Sequence, residues 1–330
     1  MRDTDYASAD MRIRALERTL LTRERLERML DAKTLDEAMK VLAECGYAEM
    51  REPTAAALEE SLYAERVKTY ALIKSVSPDT GLIDVFRARY DYHNLKVLVK
   101  SEATGEDAER LLLDAGRVPV SALCEMYGNQ KWALMPGAMG EAAQKARDVL
   151  AATADPQRCD FILDKACYKD ILAAAQSSRD AFLSGYAALL IDSANLRAAV
   201  RWLRQGRDSA RLESVLIDGG SVPALSYLGI PASGDGLAGM FRGELERAAE
   251  LGEQAVKNRR EPLTSFEKRV DDSLTLYLRG AKYIPFGPPP LVGFLAAKES
   301  EQSAVRAALG GRMAGLSAPM IRERLRECYV

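Results

Sequence analysis

A glycine-rich run in the second half of the chain has the spacing of nucleotide-binding turns. Residues Ser233–Gly239 contain G-x-G-x-x-G, in which small residues let backbone N–H groups approach a pyrophosphate. Such a turn must join a strand to a helix, and it needs an acidic residue about 20 positions further on. Here Pro231 interrupts the preceding segment, and residues 255–260 read AVKNRR. The context favours a loop or a helix start, and no G-x-x-x-x-G-K-[ST] phosphate cradle occurs elsewhere in the sequence.

Other residue types that carry catalysis are not spaced for it either. His93 is the single histidine, and the five cysteines form no C-x-x-C pair, so the sequence has no metal-ligand spacing. The adjacent carboxylates Glu59–Glu60 and Asp271–Asp272 would diverge on a helix, which favours solvated faces over acid–base pairs. No nucleophile stands at a recognisable spacing from a base. We therefore predict no catalytic residue, no metal site and no bound cofactor.

One polar pattern occurs twice. Residues 90–101, YDYHNLKVLVKS, and residues 191–202, IDSANLRAAVRW, share Asp-x-x-Asn-Leu followed by a basic residue, at an offset of 101. On a helix these positions are neighbours on one face. The Asn amide offers two donors and one acceptor, so it can hold backbone groups of an adjoining helix. We predict that Asn94 and Asn195 are each at least half-buried and hydrogen-bonded to another helix, and we favour such a clamp over a polar contact site. The repeat motif comprises Asp91, Asn94, Leu95, Asp192, Asn195 and Leu196.

The repetition extends beyond this motif. Residues 112–123 resemble residues 216–228, with Asp, Gly, Val and Pro recurring at an offset of 104. A degenerate third copy lies at 299–311, where Glu301 and Val305 belong to the repeat motif and an alanine replaces the Asn. Long-period self-similarity indicates stacked units that bury a shared core. The sequence therefore predicts three quasi-equivalent helical units, with approximate bounds 1–110, 111–215 and 216–330.

The composition favours helices throughout the chain. Ala, Leu, Arg and Glu dominate, and apolar residues recur at spacings of three and four. Thr34 and Thr264 each precede a Glu by three residues, which is the capping-box spacing, and Ser317 precedes Pro319. We predict an all-α fold with helices near 8–31, 34–46, 54–77, 80–102, 106–115, 138–154, 157–177, 178–205, 236–260, 263–279, 289–309 and 317–328.

Charge and cysteine usage limit the function class. Lys and Arg number 46 against 48 Asp and Glu, and this balance argues against a general nucleic-acid binder, which needs a clustered basic surface. Five scattered cysteines in a long chain favour a reducing compartment over a disulfide framework. The first residues lack the apolar core of a signal peptide. The longest uncharged runs are shorter than the roughly 20 apolar residues of a membrane span. We expect a soluble cytoplasmic protein without a membrane span.

A series of short motifs follows in order through the C-terminal part of the chain, and another group lies near its start. The C-terminal motifs are Phe266-Glu267-Lys268, Phe286-Gly287 with Pro290-Leu291, Lys298-Glu299 with Glu301, Gly311-Arg312 with Gly315-Leu316, and Ile321–Leu325. The residues near the start are Tyr6, Arg12, Arg14, Glu17, Leu20 and Leu21. In this order the sequence resembles the C subunit (the eukaryotic d subunit) of archaeal and bacterial V/A-type rotary ATPases, across essentially the whole chain. Two departures affect local contacts: Ala304 stands where an Asn is usual, and GPPP replaces a more usual acidic second position.

The resemblance implies a mechanical role rather than a catalytic one. In the family that this sequence resembles, the subunit forms a funnel-shaped cap on the membrane ring of proteolipid subunits. The opening of the funnel receives a central shaft made of D- and F-type subunits. The implied function is a non-catalytic central-stalk subunit that passes torque between shaft and ring for proton or sodium transport. The resemblance further implies that the three helical units form a funnel-like ring. This ring would be peripheral to the membrane, on its cytoplasmic side, and would hold no cofactor.

Two other function classes stay open on the residues alone. A helical-repeat adaptor unrelated to rotary ATPases explains the repeats but not the ordered C-terminal motifs. A nucleotide-dependent enzyme would have to use Gly234–Gly239. No motif assigns residues that contact a partner. The candidates for charge-mediated contact are the arginines of the last predicted helix, Arg322, Arg324 and Arg326, although a solvated face is the favoured interpretation of these residues.

Overall fold

The chain is helical wherever the structure describes it. A computed structural model describes residues 2–50, 52–107, 109–206 and 209–330. Over these ranges it contains helices, turns and loops but no β-strand, which confirms the all-α prediction. The α-helices are α1 (Ala7–Leu16), α2 (Arg23–Asp31), α3 (Leu35–Glu44), α4 (Ala55–Val76), α5 (Asp84–Thr104), α6 (Val120–Gly128), α7 (Met139–Thr153), α8 (Pro156–Ser177), α9 (Ala181–Arg204), α10 (Glu246–Lys257), α11 (Thr264–Arg279), α12 (Pro288–Val305), α13 (Gly311–Met313) and α14 (Ala318–Arg324).

The chain divides into two compact units, and each contains more than one stretch of sequence. The first unit comprises Met1–Thr80, Arg242–Leu251 and Arg260–Val330. The second comprises Gly81–Phe241 and Gly252–Arg259. The first unit therefore joins the start of the chain to its end. The three-unit division with bounds 1–110, 111–215 and 216–330 stays a prediction.

Helix α8 is the centre of the second unit, where it packs against α5, α7 and α9. It begins at Pro156, which suits the first turn because its missing N–H needs no partner there. Asp155 caps the helix by accepting the N–H of Gln157 at 3.0 Å. The apolar side chains of Leu163 and Ile171 are buried, as is Leu183 at the start of α9. These contacts hold α8 between its neighbours and leave one of its faces partly exposed.

The core of the first unit brings helices from both ends of the chain together. Side chains of α2, α3 and α4 pack in one apolar cluster with the end of α12 and with α14. Removing such side chains from water is the main favourable term in folding, at roughly 25 cal/mol per Å² of apolar surface. The cluster includes Leu26, Met29, Leu30, Leu42, Leu58, Leu62, Val305, Leu309, Ile321 and Leu325.

Helix α12 has an unusual start and an unusual end. Gly287 precedes it with φ of 106°, a conformation that a side chain would disfavour, and three prolines follow in the first turn. The GPPP segment is therefore a helix start. At the other end, residues Arg306–Gly310 form a π-helical turn that continues into α13. In between, α12 buries the polar side chains Lys298, Glu301 and Gln302.

The helices carry polar groups along their length. Even α12 contains a buried lysine and a buried glutamate. Over residues 2–50, 52–107, 109–206 and 209–330, none of the helices has both the length and the apolarity that crossing a bilayer requires.

The cysteines are free thiols in the structure. Cys45, Cys159, Cys167 and Cys328 are buried, and Cys124 is partly exposed. Burial raises the pKa of Cys45 and of Cys159 to about 11. The reactive thiolate form of these two side chains is therefore scarce at neutral pH.

Several predicted helix bounds differ from the structure. The predicted helix 8–31 is broken by a 3-10 turn at Glu17–Thr19, after which Leu20 adopts an extended conformation. The predicted helix 106–115 is reduced to the 3-10 turn Glu109–Leu111, and α6, which was not predicted, forms after Pro119. The two differences have the same cause. In each place a non-helical segment is held by side chains of other helices, as Leu21 is by Glu301 and Leu113 is by Asn94. Local helix propensity does not report such contacts.

The helix-start signals were partly correct. Thr34 caps α3 by accepting the N–H of Glu37 at 3.2 Å, as its spacing predicts. Ser317 is the cap position of α14, although its side chain makes no cap hydrogen bond. The predicted cap at Thr264 is wrong, because α11 begins at Thr264 itself and the cap position falls on Leu263.

In the first unit, Asp10 fixes the turn that precedes α12. Its Oδ2 atom accepts the N–H of Gly287 at 2.9 Å. Its other oxygen has no hydrogen-bond partner among the described residues, and the side chain is buried. Burial raises the pKa of Asp10 to about 6, and the hydrogen bond from Gly287 opposes that rise. Arg14 holds the same segment by donating to the carbonyls of Ala281 and Ile284, at 2.8 Å each.

Replacing Asp10 with Asn should change how stability depends on pH. The pKa of Asp10 is higher in the folded chain than in the unfolded chain, so folding favours its protonated form. The corresponding stabilisation is complete below about pH 4 and is lost as the pH rises through about 6, a difference of about 3 kcal/mol. In Asp10→Asn that loss should disappear from the free energy of unfolding measured by urea titration at a series of pH values. The control Asp148→Asn, on the exposed face of α7, should keep the wild-type slope; equal slopes in all three proteins would contradict the assignment.

Candidate functional site

The first copy of the repeated motif lies on α5 in the second unit, and its Asn side chain is fully buried. Asn94 Nδ2 donates to the carbonyl oxygen of Leu113 at 2.9 Å, and Asn94 Oδ1 accepts the N–H of Leu113 at 2.8 Å. Leu113 lies outside the helices, so its backbone groups have no helical partner. The amide therefore supplies both hydrogen bonds that this residue lacks.

The second copy, on α9, repeats this geometry. Asn195 Nδ2 donates to the carbonyl oxygen of Ile217 at 2.8 Å, and its Oδ1 accepts the N–H of Ile217 at 2.8 Å. Asn94 and Asn195 are both fully buried, as predicted. The predicted partner was wrong: each Asn holds the backbone of a non-helical segment and not that of another helix. Such a segment has a greater need of side-chain partners, because a helix interior already pairs its own backbone.

The Asp side chains hold the next few residues of the same segments. Asp91 Oδ1 accepts the N–H of Val118 at 3.2 Å, and Asp192 Oδ1 accepts the N–H of Val222 at 3.1 Å. Gly116 and Gly220 lie against these two carboxylates. A Cβ atom at either glycine would approach the carboxylate oxygen to less than 3.0 Å, so glycine is required there by close packing rather than by an unusual φ.

The two copies differ in how they compensate the buried carboxylate. Arg117 Nε lies 2.6 Å from Asp91 Oδ2, and Arg117 Nη2 lies 2.9 Å from Asp170 Oδ2 on α8. Ser221 stands at the corresponding place in the second copy and donates its backbone N–H to Asp192 at 2.9 Å. Burial raises the pKa of Asp192, against the opposing effect of the N–H groups of Val222 and Ser221. The first clamp thus ties α5 to α8 through an ion pair that the second lacks.

The third copy lies on α12 in the first unit. Glu301 accepts the backbone N–H of Leu21 at 2.6 Å, the hydroxyl of Tyr47 at 2.8 Å and the ammonium of Lys298 at 2.7 Å. Lys298 also lies 2.9 Å from Glu65. Val305 is fully buried in the apolar cluster of this unit. The acidic side chain again accepts a backbone N–H, but the donor lies near the start of the chain.

The three donor residues occupy the same local position. Val118 lies two residues before α6, Val222 lies two residues before the 3-10 helix Ala224–Gly229, and Leu21 lies two residues before α2. In each case a carboxylate on a long helix holds a non-helical residue that leads into a short helix. We define these three arrangements, with Asp91, Asp192 and Glu301 as acceptors, as the carboxylate clamps.

A cleft runs along the partly exposed face of α8. The lining residues of α8 recur at helical spacing and are Gln157, Phe161, Asp164, Cys167, Tyr168 and Ile171. Two pockets, of about 320 Å³ on the α9 side and 230 Å³ on the α5 side, share Asp164 and Tyr168. We call this surface the α8 cleft. It was not predicted, because its walls come from helices that are distant in the sequence.

The walls of the α8 cleft are basic. Arg89 and Lys96 line it from α5, and Arg197 and Arg201 line it from α9, whereas Asp164 is the one acidic residue among the lining positions. Lys96 Nζ lies 2.6 Å from Asp164 Oδ1. Lys96 and Arg197 are the basic residues that follow Asn-Leu in the two motif copies. Each motif therefore places its Asn inside the unit and its basic residue on the cleft.

Two further candidates from the sequence are His93 and the glycine-rich run. His93 lines the α5 side of the α8 cleft, where it is exposed, and its Nε2 lies 2.9 Å from the carbonyl oxygen of Leu111. Residues Ser233–Gly239 form turns that lead into a 3-10 helix, and Asp235 pairs there with Lys257 at 2.7 Å. This segment has neither the preceding strand nor the α-helix start that a dinucleotide turn requires.

Two of the three C-terminal arginines make ion pairs within their own unit; the last helix ends at Arg324, so Arg326 lies just after it. Arg322 lies 2.6 Å from Glu27 and also pairs with Asp31, and Arg326 lies 2.7 Å from Asp271. These ion pairs connect the end of the chain to α2 and α11. They make Arg322 and Arg326 weaker candidates for contact with a partner.

Replacing either motif Asn with Leu should destabilise the second unit. Asn94→Leu and Asn195→Leu would each leave the N–H and carbonyl groups of one non-helical residue unpaired, at a cost on the order of 1–3 kcal/mol per buried group. The effect should appear in chemical denaturation as a lower free energy of unfolding. Asn129→Leu, at an exposed position after α6, is the matched control and should change stability little. A melting temperature unchanged by all three substitutions would rule out the clamp.

The two glycines packed on the carboxylates give an independent test. Gly116→Ala and Gly220→Ala should each displace the carboxylate from its backbone donor and lower the free energy of unfolding by roughly 1–3 kcal/mol. Gly128→Ala, in α6 where a Cβ atom meets nothing within 4 Å, should be neutral or slightly stabilising, because Ala has the higher helix propensity. The opposite order of stabilities in thermal unfolding would contradict the packing.

The sequence matches known proteins along nearly its whole length. The model of the ATP synthase (C/AC39) subunit family matches residues 10–324. The C subunit of the V-type sodium ATPase of Enterococcus hirae is 26% identical over 341 aligned residues, which cover 98% of this chain and 99% of that protein. The C subunit of the V-type ATP synthase of Thermus thermophilus is 26% identical, covering 96% of each chain. The C subunit of the A-type ATP synthase of Methanocaldococcus jannaschii is 24% identical, covering 97% of this chain and 86% of that protein.

Proposed function

The chain belongs to the ATP synthase (C/AC39) subunit family, and we propose that it is the non-catalytic central-stalk subunit of a V/A-type ATPase or ATP synthase. In this role it links the rotor shaft, made of D- and F-type subunits, to the membrane ring of proteolipid subunits. It transmits torque between the two for proton or sodium transport. Its place is on the cytoplasmic side of the membrane, as a peripheral part of the membrane-bound complex.

The observation that carries the proposal is the extent of the match. It covers residues 10–324, and relatives named as C subunits of such complexes align along nearly their whole length. A shared local motif can be borrowed by proteins of different function, but an alignment of this extent supports a shared overall role. The helical-repeat adaptor would account for the repeated motifs and not for this match.

The buried polar groups support a structural role rather than a catalytic one. Asp91, Asp192 and Glu301 are buried acids, the type of group that active sites often use. Here each one accepts a backbone N–H from its own chain. Side chains occupied in this way hold the fold together and are not directed at a substrate.

A coupling subunit needs internal stiffness, and the carboxylate clamps support that property. Fully satisfied buried polar networks favour one packing over its alternatives. The ion pair of Arg117 with Asp91 and Asp170 holds α5 against α8, and Lys298 joins α12 to α4 through Glu65. We propose that the three helical repeat units predicted from the sequence form a funnel-like ring that receives the shaft, so that each repeat unit carries part of the load.

Omitting the chain should separate ATP hydrolysis from ion pumping. In membranes reconstituted without it, the soluble head should still hydrolyse ATP, because hydrolysis does not require the connector. ATP-driven ion uptake should be lost, because shaft rotation no longer reaches the ring. Both are measured on the same vesicles, as phosphate release and as quenching of a gradient-sensitive dye.

Adding back the purified chain should restore ion uptake. The surface variant Asn129→Leu should restore it equally well, which controls for the purification. The chain should also co-purify with shaft and proteolipid subunits. Equal ion uptake with and without the chain would refute the proposed connector role.

A further inference from the structure

We propose that the α8 cleft binds an amphipathic helix of a partner subunit, with the apolar side of that helix on α8 and acidic side chains against the basic walls. The inference rests on the proposed function for the existence of such a partner. It goes further by naming the surface and the chemistry that recognises it.

The shape of the cleft fits a helix. Its floor follows one face of α8 from Gln157 to Ile171, which at 1.5 Å per residue is roughly 21 Å, or about four helical turns. The two pockets lie on either side of Asp164 and Tyr168. Successive side chains on one face of a bound helix could fill them, which is the usual arrangement of a helix in a groove.

The floor provides apolar contact for such a helix. Phe161 and Tyr168 line it from α8, and Trp202 lines it from α9. Phe86 and Tyr186 stack with ring centroids 5.8 Å apart at the α5 end. Phe86 and Tyr186 are buried, whereas Phe161, Tyr168 and Trp202 are partly exposed. Aromatic side chains are enriched at protein interfaces and among the residues that dominate binding.

The charge of the walls selects an acidic partner. Four basic residues, Arg89, Lys96, Arg197 and Arg201, face the cleft with a single carboxylate, Asp164. The whole chain has a formal net charge of −2, so basic residues are enriched among the lining positions relative to the chain as a whole. Local complementarity of this kind gives specificity and faster association.

A helix bearing carboxylates fits the cleft better than a phosphate ligand does. Most lining residues lie on the sides of helices, where backbone N–H groups are paired within each helix. Val215 and Ile217 line the cleft outside the helices and donate their N–H groups to Leu212 and Asn195, so the described lining offers no backbone cradle of the kind that binds phosphates. Asp164 lies between the two pockets and would repel a compact dianion. Acidic side chains spaced along a helix can pass on either side of it.

The probe is a synthetic helical peptide of Leu, Ala and Glu, labelled with a fluorophore, with Leu on one face and Glu on both flanks. Its binding to the full chain is followed by fluorescence anisotropy. We expect the double variant Arg197→Glu/Arg201→Glu to bind about tenfold more weakly or worse. The control Lys131→Glu/Lys145→Glu makes the same change in charge at exposed positions outside the cleft and should bind like wild type.

Asp164→Asn provides a change of opposite sign. It removes the one carboxylate of the cleft and releases Lys96 from its ion pair, so peptide binding should tighten by about threefold. A purely structural role of Asp164 would not tighten binding. Added salt should weaken binding of the wild-type chain, because exposed charges are screened over about 10 Å at 0.1 M. The salt series uses the wild-type chain, so it tests the proposal even if the double variant does not fold.

Several outcomes would overturn the inference. These are unchanged affinity in the double variant, an equal loss in the control, tighter binding of the matching Lys peptide, or displacement of the acidic peptide by inorganic polyphosphate or by vesicles of anionic lipid. The connector role is judged separately, by ion uptake after add-back. Peptide binding that depends on the cleft, without restored ion uptake, would support the docking site and reject the connector role. Restored ion uptake without peptide binding would support the connector role and reject the docking site.

Discussion

The structure depends on one constraint: a backbone that leaves a helix inside the protein must still find hydrogen-bond partners. In the second unit the non-helical segments at Leu113 and Ile217 meet this constraint through the amides of Asn94 and Asn195, at distances of 2.8 to 2.9 Å. The cost of leaving such groups unpaired, roughly 1–3 kcal/mol each, exceeds what most single contacts contribute. The repeated motif is therefore the chemical condition for running an irregular segment beside a buried helix.

Once the backbone is satisfied, the charge of each clamp can be balanced in different ways. Arg117 bridges Asp91 to Asp170, Lys298 bridges Glu301 to Glu65, and Asp192 relies on backbone donors. Removing one partner of a buried ion pair leaves an uncompensated charge and costs more than the pair contributes. The repeats share one hydrogen bond, from a backbone N–H to a carboxylate on a long helix. Their sequences are therefore alike at the acidic residue and differ at the residue that compensates its charge.

This division sets what the sequence could predict. Helical composition and the spacing of Asp91, Asn94, Asp192 and Asn195 predicted an all-α fold with buried polar clamps, because both are local properties. The donors lie 19 to 30 residues away for the first two copies and 280 residues away for the third, so sequence alone could not identify them. The same holds for the α8 cleft. Its basic residues could be found as helical stripes, but their meeting across α8 follows from packing.

The second clamp and the α8 cleft share a segment of the chain, so buried hydrogen bonds hold one wall of an exposed surface. Ile217, whose backbone is held by Asn195, also lines the α8 cleft, together with Ala194 and Arg197 from the motif helix. The amide fixes the wall from inside, where hydrogen bonds are shielded from water and salt. The charged groups on the other side of that wall stay partly exposed, where pairing is weak and reversible. A subunit with the proposed connector role, which must transmit force and also be assembled and taken apart, would benefit from this order, because the contacts that separate would not be the contacts that maintain the fold.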